Sequence, residues 1–197
     1  MNEQTVFNKI KQLSSHQGLI FGMTNFYRVK HFYRNFEEKY DLSVVDTRIG
    51  NNNCLNYLES TLSKLSQNYL SPSFFEDHLI IFDLAIVDDD YFGSSIENFT
   101  AQLVAIIAYD ILKYRQEYNK EYLLNCVNNI LEIINQNRSD VFSKLDSESN
   151  SDDLDNYLDR YFDIEFSVQN SLLDLVVEGV KEKKLIEFGN EYQLVFS

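Results

Sequence analysis

The residues best suited to chemistry in this sequence are carboxylates, and one group of them is a run of three aspartates. Asp88, Asp89 and Asp90 are consecutive, and neighbouring carboxylates can either hold a hard cation or attract a basic partner. Further metal ligands cannot be identified in the sequence. We therefore predict that the run helps to start the helix after Gly93 and contributes to an acidic surface.

A second acidic stretch, residues 146–157, has part of the pattern of an EF-hand calcium loop. Asp146, which would open the loop, is followed by oxygen-bearing side chains at the third, fifth and seventh positions. However, Ser151 occupies the position of the turn glycine, and Tyr157 that of the bidentate glutamate. The pattern predicts a solvated, helix-starting acidic loop and no calcium site.

Histidine and cysteine, which serve most often in catalysis and zinc binding, are few and scattered. His16, His31 and His78 lie in none of the frames that place two metal ligands on one helical face. Cys54 and Cys126 are far apart in segments with a helical pattern, which indicates reduced and buried thiols. We predict no catalytic residue, no metal and no cofactor, and hence a protein that is not an enzyme.

Nucleic acid is not the expected partner. Residues 27–34 alternate bases with aromatic side chains, which can bind single strands, but their apolar members recur at helical steps and suit a core face equally well. A sequence pI of about 4.5 opposes phosphate binding. Gly18 and Gly22 lack the Lys and Ser/Thr of a phosphate-binding loop, so we interpret them as sites of close helix packing.

The charge is large and uneven. The formal net charge is −14, yet the first fifty residues sum to +2, so the rest of the chain carries −16. An acidic surface of this size suits a basic protein partner. The residues predicted to bind that partner are Asp88, Asp89, Asp90, Asp152, Asp153, Asp155, Asp159 and Asp163.

The fold class follows from periodicity and from the scarcity of helix breakers. One Pro and six Gly in 197 residues favour long helices, and 44% apolar residues are enough for a core. We predict a mainly α, single-domain multi-helix bundle over residues 1–197. The segments with a helical period are 5–13, 15–39, 51–67, 73–86, 94–116, 119–136 and 152–183.

Two of these helices should form the centre. Apolar residues and a row of alanines follow the segment 94–116, so we expect it to be the most buried helix and to accept close neighbours. The segment 119–136 follows after a few residues around Tyr118 and should return antiparallel.

The last third of the sequence gives three further predictions. Residues 136–152 are rich in Ser, Asn and acids, and we expect a mobile acidic loop there. The helix 152–183 should begin near Ser151 and end on Lys181, Lys183 and Lys184, which suit a helix C-terminus. Alternating apolar residues around Gly189 and Asn190 predict a short C-terminal β-hairpin, with a helix and a frayed tail as the alternative.

Export and membrane insertion are not expected. The first residues have no basic flank followed by an apolar stretch, and the longest apolar runs are far shorter than the ~20 residues of a spanning helix. We predict a cytoplasmic protein.

Three groups of residues carry a family resemblance. Arg28 and its aromatic neighbours in the first third, residues 82–92 in the middle, and residues 163–166 near the end occur in a matching order and rough spacing. The aromatic neighbours are Phe21, Tyr33 and Phe36. On these residues the chain resembles the YjaG-like domain-of-unknown-function family of bacterial proteins. The resemblance implies an all-helical cytoplasmic fold and brings no activity, cofactor or site residue.

The chain is also similar in character to the immunity proteins that neutralise bacterial polymorphic and contact-dependent toxins, which are often small, acidic and non-enzymatic. The sequence hypothesis is therefore an acidic inhibitor that occupies the substrate-binding face of a basic, nuclease-like toxin. The alternative is a YjaG-like helical protein with a structural or regulatory role that acts as a homodimer.

Overall fold

The computed structural model describes residues 3–42, 54–86, 89–137 and 151–196, and for residues 89 and 151–157 it describes the helical backbone alone. These ranges contain nine helices and no strand, which confirms the predicted mainly α bundle. The helices are α1 (Glu3–Gln12), α2 (Ser15–Lys39), α3 (Cys54–Lys64), α4 (Pro72–Leu84), α5 (Asp89–Phe92), α6 (Ile96–Glu117), α7 (Glu121–Gln136), α8 (Ser151–Val177) and α9 (Glu182–Glu191). No helix within the described ranges is long and apolar enough to cross a membrane.

Helices α2 and α6 form the centre of the bundle and pack against each other along their length. The first half of α2 is almost completely buried, and α6 buries its alanines together with its large apolar residues, as its pattern predicted. Helix α7 returns antiparallel to α6, because the Cys126 Sγ lies 3.8 Å from the Ile107 carbonyl oxygen while Asn137 bonds Thr100 further along.

Glycine permits the closest approach between helices. A methyl group added at Gly18 would lie 2.2 Å from the Tyr114 hydroxyl oxygen and 2.8 Å from a Leu123 methyl carbon. Gly22 is similarly close to Ile111 and to Leu123. The two glycines of α2 therefore receive side chains of α6 and α7, as predicted from their spacing, and serve no phosphate.

The end of α8 corrects one prediction. The helix stops at Val177, since Gly179 takes φ +77° and the amides of Gly179 and Val180 bond back to Val176 and Leu175. This is the Schellman arrangement, for which glycine is the favoured residue. The expected helix to residue 183 is therefore wrong, and Lys181, Lys183 and Lys184 lie at the start of α9.

The C-terminal hairpin is also not formed. Helix α9 continues through Gly189 and Asn190, and the chain then runs without regular structure from residue 193 to 196. Gly189 is buried against α2, where an added Cβ would lie 2.8 Å from the Thr24 carbonyl oxygen. The glycine that suggested a turn thus provides close packing between two helices, which is the alternative considered for this segment.

An ion pair in the interior joins α2, α8 and the C-terminal tail. Both guanidinium NH groups of Arg28 donate to the Glu165 carboxylate at 2.7 Å, and both side chains are 2% exposed. Arg28 Nε donates to the Tyr192 carbonyl oxygen, and Asn25 and Gln169 bond the pair from either side. Burial acts to raise the pKa of Glu165, but the Arg28 charge and hydrogen bonds lower it below its usual value.

A second buried acid begins α3. Glu37 Oε1 accepts hydrogen bonds from the backbone amides of Cys54 and Leu55 at 2.5 and 3.2 Å. These are first-turn amides that have no partner within the helix, so the carboxylate of α2 caps α3. Burial raises the pKa of Glu37, and the two amide hydrogen bonds oppose this effect.

The predicted mobile loop at residues 136–152 lies mainly outside the described residues. Gln136 ends α7, Asn137 follows it, and Ser151 begins α8 as the sequence predicted.

The interior ion pair gives a first prediction. Glu165→Gln leaves the Arg28 charge buried without its counter-charge, so it should lower the free energy of unfolding at pH 7 by about 3–5 kcal/mol. Because the pKa of Glu165 is lowered in the folded protein, this deficit should shrink as the pH falls below about 4. Urea unfolding at several pH values measures both effects.

The matched control is Glu117→Gln, which breaks a surface pair with Lys113. It should cost less than about 1 kcal/mol. An equal loss in the free energy of unfolding for the two variants would show that the interior pair stabilises the fold no more than a surface pair does.

The packing of α9 gives a second prediction. Gly189→Ala forces a methyl group against the α2 backbone and should lower the free energy of unfolding by about 1–3 kcal/mol. Asn190→Ala, one residue away and exposed, should be nearly neutral. Thermal unfolding followed by circular dichroism compares them. A hairpin turn at these two residues would reverse the order, because Asn190 would then be the residue that a turn requires.

Candidate partner-binding site

An open groove of about 700 Å³ lies between α7 and α8, next to the first residue of α1. We call it the acidic groove. Its lining residues are Glu3, Asn128, Leu131, Glu132, Asn135, Asp159, Phe162, Asp163 and Phe166.

Each helix contributes one row of side chains with the same spacing. The α7 residues lie at positions 128, 131, 132 and 135, and the α8 residues at 159, 162, 163 and 166. Steps of three, four and seven residues place side chains on one helical face. The groove is therefore built from two facing helix surfaces, and Lys9 pairs with Asp174 at 2.5 Å to fasten α1 beside them.

The groove combines a partly apolar floor with acidic edges. Phe162 and Phe166 are half-buried, whereas Asp159 and Asp163 are exposed. Among the described residues, the hydrogen-bond donors to Glu132 are the uncharged side-chain amides of Gln136 and Asn135.

Within the described ranges, no lysine or arginine forms an ion pair with any of the four carboxylates of the groove. None of its nine lining residues is Lys or Arg. Such a surface suits a segment that carries apolar and basic side chains together.

The structure brings only two of the predicted partner-binding residues into this groove. These are Asp159 and Asp163. Asp152, Asp153 and Asp155 lie in the first turns of α8, where the structure describes the backbone alone.

The aspartate run at residues 88–90 belongs to another part of the molecule. Asp90 is exposed on α5, and that short helix packs through Phe92 on Phe36 near the end of α2, with ring centroids 5.2 Å apart. Asp89 begins α5, and Asp88 lies outside the described residues. For Asp89 and Asp90 the predicted role at the start of the helix after Gly93 is wrong, because both lie in α5 and α6 is capped by Ser95, whose hydroxyl accepts from the Asn98 amide at 3.1 Å.

Sequence reasoning missed most of the groove. The prediction for this helix used only its apolar residues and so missed Glu132 and Asn128. Their spacing of four residues, which places them on one helical face, was the available signal. Phe162 and Phe166 continue the row of Asp159 and Asp163 in the same way. The participation of Glu3 depends on how α1 packs on α8, and no local sequence pattern predicts that contact.

Both thiols are buried, and His78 is held by contacts within its own helix. Burial raises the pKa of Cys54 to about 12, and it raises that of Cys126 well above the usual value, so both stay protonated and weakly nucleophilic. No group of three metal-binding side chains was found among the described residues. His78 stacks on Phe74 and bonds its carbonyl oxygen, which is a structural role.

One buried acid lies on α6, on the side that faces α7. Asp110 of α6 is 6% exposed, and its Oδ2 has no hydrogen-bond partner. Burial raises the pKa of this carboxyl to about 7, and a hydrogen bond with Asn125 opposes the effect. Asp110 faces Cys126 and Tyr122 of α7, so ionisation would place an unpaired charge between α6 and α7.

Asp110 gives a third prediction. In the unfolded chain this carboxyl ionises near pH 4, whereas in the folded protein it ionises near pH 7, so folding loses stability as the pH rises between these values. Asp110→Asn should match the parent at pH 4 and exceed its free energy of unfolding at pH 7 and above. The control Asp83→Asn, on the exposed face of α4, should show no such trend. A constant difference at all pH values would argue against a buried ionisation.

Comparison with known proteins identifies a solved structure with a similar fold. Neither a family model nor a curated protein matches the chain. A crystal structure of a DUF416 family protein from Shewanella baltica OS155 is similar, with a TM-score of 0.68 over 94% of this chain and 92% of that one. Sequence identity is 17%. The likeness shows that the two proteins share one helical fold over nearly their whole lengths.

Proposed function

We propose that this chain is a non-enzymatic binding protein, and that its acidic groove takes a basic segment of another protein. The observation that carries the proposal is the pairing of four carboxylates with three apolar side chains in one groove, whose nine described lining residues include no lysine or arginine. The protonated, buried thiols support a role in binding over a role in nucleophilic catalysis.

The occupant that fits this chemistry best is the substrate-binding face of a nuclease-like bacterial toxin, which makes the chain an immunity-type inhibitor. A nuclease binds phosphates through basic side chains, and the carboxylates of the acidic groove can replace those phosphates. The net charge of −14 would speed the encounter with a basic surface. Leu131, Phe162 and Phe166 would supply apolar contact at the centre.

Tyrosine is a common anchor at protein interfaces, but the most exposed tyrosines of the described residues do not line this groove. Tyr69, Tyr91, Tyr118 and Tyr192 are 46–78% exposed, but none is among its lining residues. In this proposal the phenylalanines of α8 replace them as apolar anchors.

A second candidate is a YjaG-like helical protein with a structural or regulatory role as a homodimer. The fold shared with a DUF416 family protein supports it, and so does the pairing of Arg28 with Glu165, because both residues belong to the pattern that resembles the YjaG-like family. Sedimentation equilibrium at micromolar concentration tests the homodimer, and a monomer would remove it.

The groove gives a fourth prediction. Asp159→Asn combined with Asp163→Asn should weaken binding to the basic partner by roughly tenfold, mainly through slower association, and should reduce the salt dependence. The partner to test is the basic C-terminal domain of a large secreted protein encoded next to this chain. Calorimetry gives the affinity, and growth of cells that produce both proteins gives the protection.

The matched control is Asp77→Asn combined with Asp83→Asn, which removes the same two charges from the exposed face of α4. This variant should protect cells as the parent does. Equal weakening by both double variants would show that net charge acts without the groove. Full protection by the groove variant at every expression level would refute the proposed site.

A further inference from the structure

A second cavity, of about 540 Å³, lies on another side of the bundle. It is bounded by the second half of α2, by the first turns of α6 with Asn137, and by the end of the C-terminal tail. The residues that matter here are His31, Phe32, Asn35, Glu97, Thr100 and Phe196. We call it the tail cavity. Its volume is in the range of small-molecule sites.

The tail cavity differs from the acidic groove in charge. Glu97, the one carboxylate among the lining residues that the structure describes, receives two hydrogen bonds of 2.6 and 2.8 Å from Lys39 and is therefore neutralised. Burial lowers the pKa of His31 below its usual value, against the opposing effect of the Leu194 backbone, so the ring is uncharged at neutral pH. The described lining thus carries no uncompensated charge, although the protein as a whole is strongly acidic.

Aromatic faces form part of its wall. The Phe32 ring lies 4.1 Å from the His31 ring and 5.9 Å from the Phe196 ring, measured between centroids. The tail that brings Phe196 here is held by hydrogen bonds to both the backbone and the side chain of Arg28. A flat aromatic ligand can stack on such faces.

Polar groups accompany these rings. The imidazole of His31 lines the cavity beside Phe32, but its Nδ1 is buried out of reach of the cavity space. Asn35 is exposed and offers a carboxamide, with a donor and an acceptor side by side. At the opposite side the Thr100 hydroxyl is fixed by hydrogen bonds with Ile96 and Asn137.

We propose that the tail cavity binds an uncharged purine, as the free base or the nucleoside. The base would stack on the Phe32 and Phe196 rings, and its edge would bond the Asn35 carboxamide. Asparagine is a favoured partner of adenine because its amide matches the two groups on one edge of that base, and aromatic stacking adds about 1–3 kcal/mol per base. A phosphorylated form is disfavoured by the net charge of −14 that the protein carries.

The test is a titration with 2-aminopurine riboside, a fluorescent purine nucleoside. The chain contains no Trp, so the probe can be excited without interference from that residue. We expect saturable quenching with one site per chain and displacement by adenosine. Adenine reports whether the ribose contributes, and AMP should compete several-fold less well than adenosine. No saturation at ~1 mM, or AMP binding as tightly as adenosine, would overturn the proposal.

Variants locate the site. Asn35→Ala should weaken binding about tenfold, and its exposure makes the fold tolerant of the change, which a thermal melt verifies. Asn128→Ala, in the acidic groove, is the matched control and should leave the affinity unchanged. Quenching that survives Asn35→Ala undiminished would show stacking elsewhere on the surface and would overturn the assignment. None of these outcomes depends on whether the acidic groove binds a partner.

Discussion

Two opposite charges lie in the interior of this protein, and the placement of several elements depends on them. Removing the Arg28 guanidinium and the Glu165 carboxylate from water costs several kcal/mol per ion, and their attraction offsets this only when the remaining hydrogen-bonding capacity is also used. Here Asn25 and Gln169 bond the pair, and the Tyr192 carbonyl oxygen accepts from Nε. The geometry requires that α2, α8 and the tail meet at one point.

This constraint fixes the rotation of α8 about its own axis. With about 100° per residue, the groove residues Phe162, Phe166, Asp159 and Asp163 lie at about 60°, 100°, 120° and 160° from Glu165, all on one side. Because Glu165 must face the interior, the two phenylalanines fall at the boundary of the core and the two aspartates in solvent.

The other side of α8 faces the tail, where the Tyr161 and Phe196 ring centroids are 5.9 Å apart. One ion pair therefore orients the acidic groove on one flank of α8 and the tail cavity wall on the other. The same interior contact therefore bears on the orientation of both cavities.

Helix content and the approximate limits of most helices could be predicted from the sequence, because apolar periodicity is a local property. Helix α2 was predicted at its observed limits, 15–39. The errors concern residues with two uses. Gly189 suits a turn, but here it admits the α2 backbone, and the lysines 181–184 suit a helix end, but here they begin α9 after Gly179 has closed α8.

The candidate site shows the same limit. Asp159 and Asp163 could be found because a row of acids opposite an apolar face is visible in one helix. That Glu132 lies in the same groove could not be predicted in this way. It depends on which face of α7 packs opposite α8, and the residues involved are 27 or more positions apart in the sequence. Charge pointed to α8, and only the tertiary structure shows which part of that helix faces a groove.

The distribution of the few cations explains why the groove remains acidic. Lysine and arginine number 17 against 31 acids, so many carboxylates must lack a basic neighbour. In the described residues the cations of α2 pair with Glu59, Glu97 and Glu165, that is, with α3, the start of α6 and the middle of α8. The basic residues of α2 are thus used at the places where these helices join it. The described lining of the acidic groove comes from α7, α8 and Glu3 of α1, so the cations that α2 contributes to these junctions are not part of it, and its four carboxylates give a negative local field.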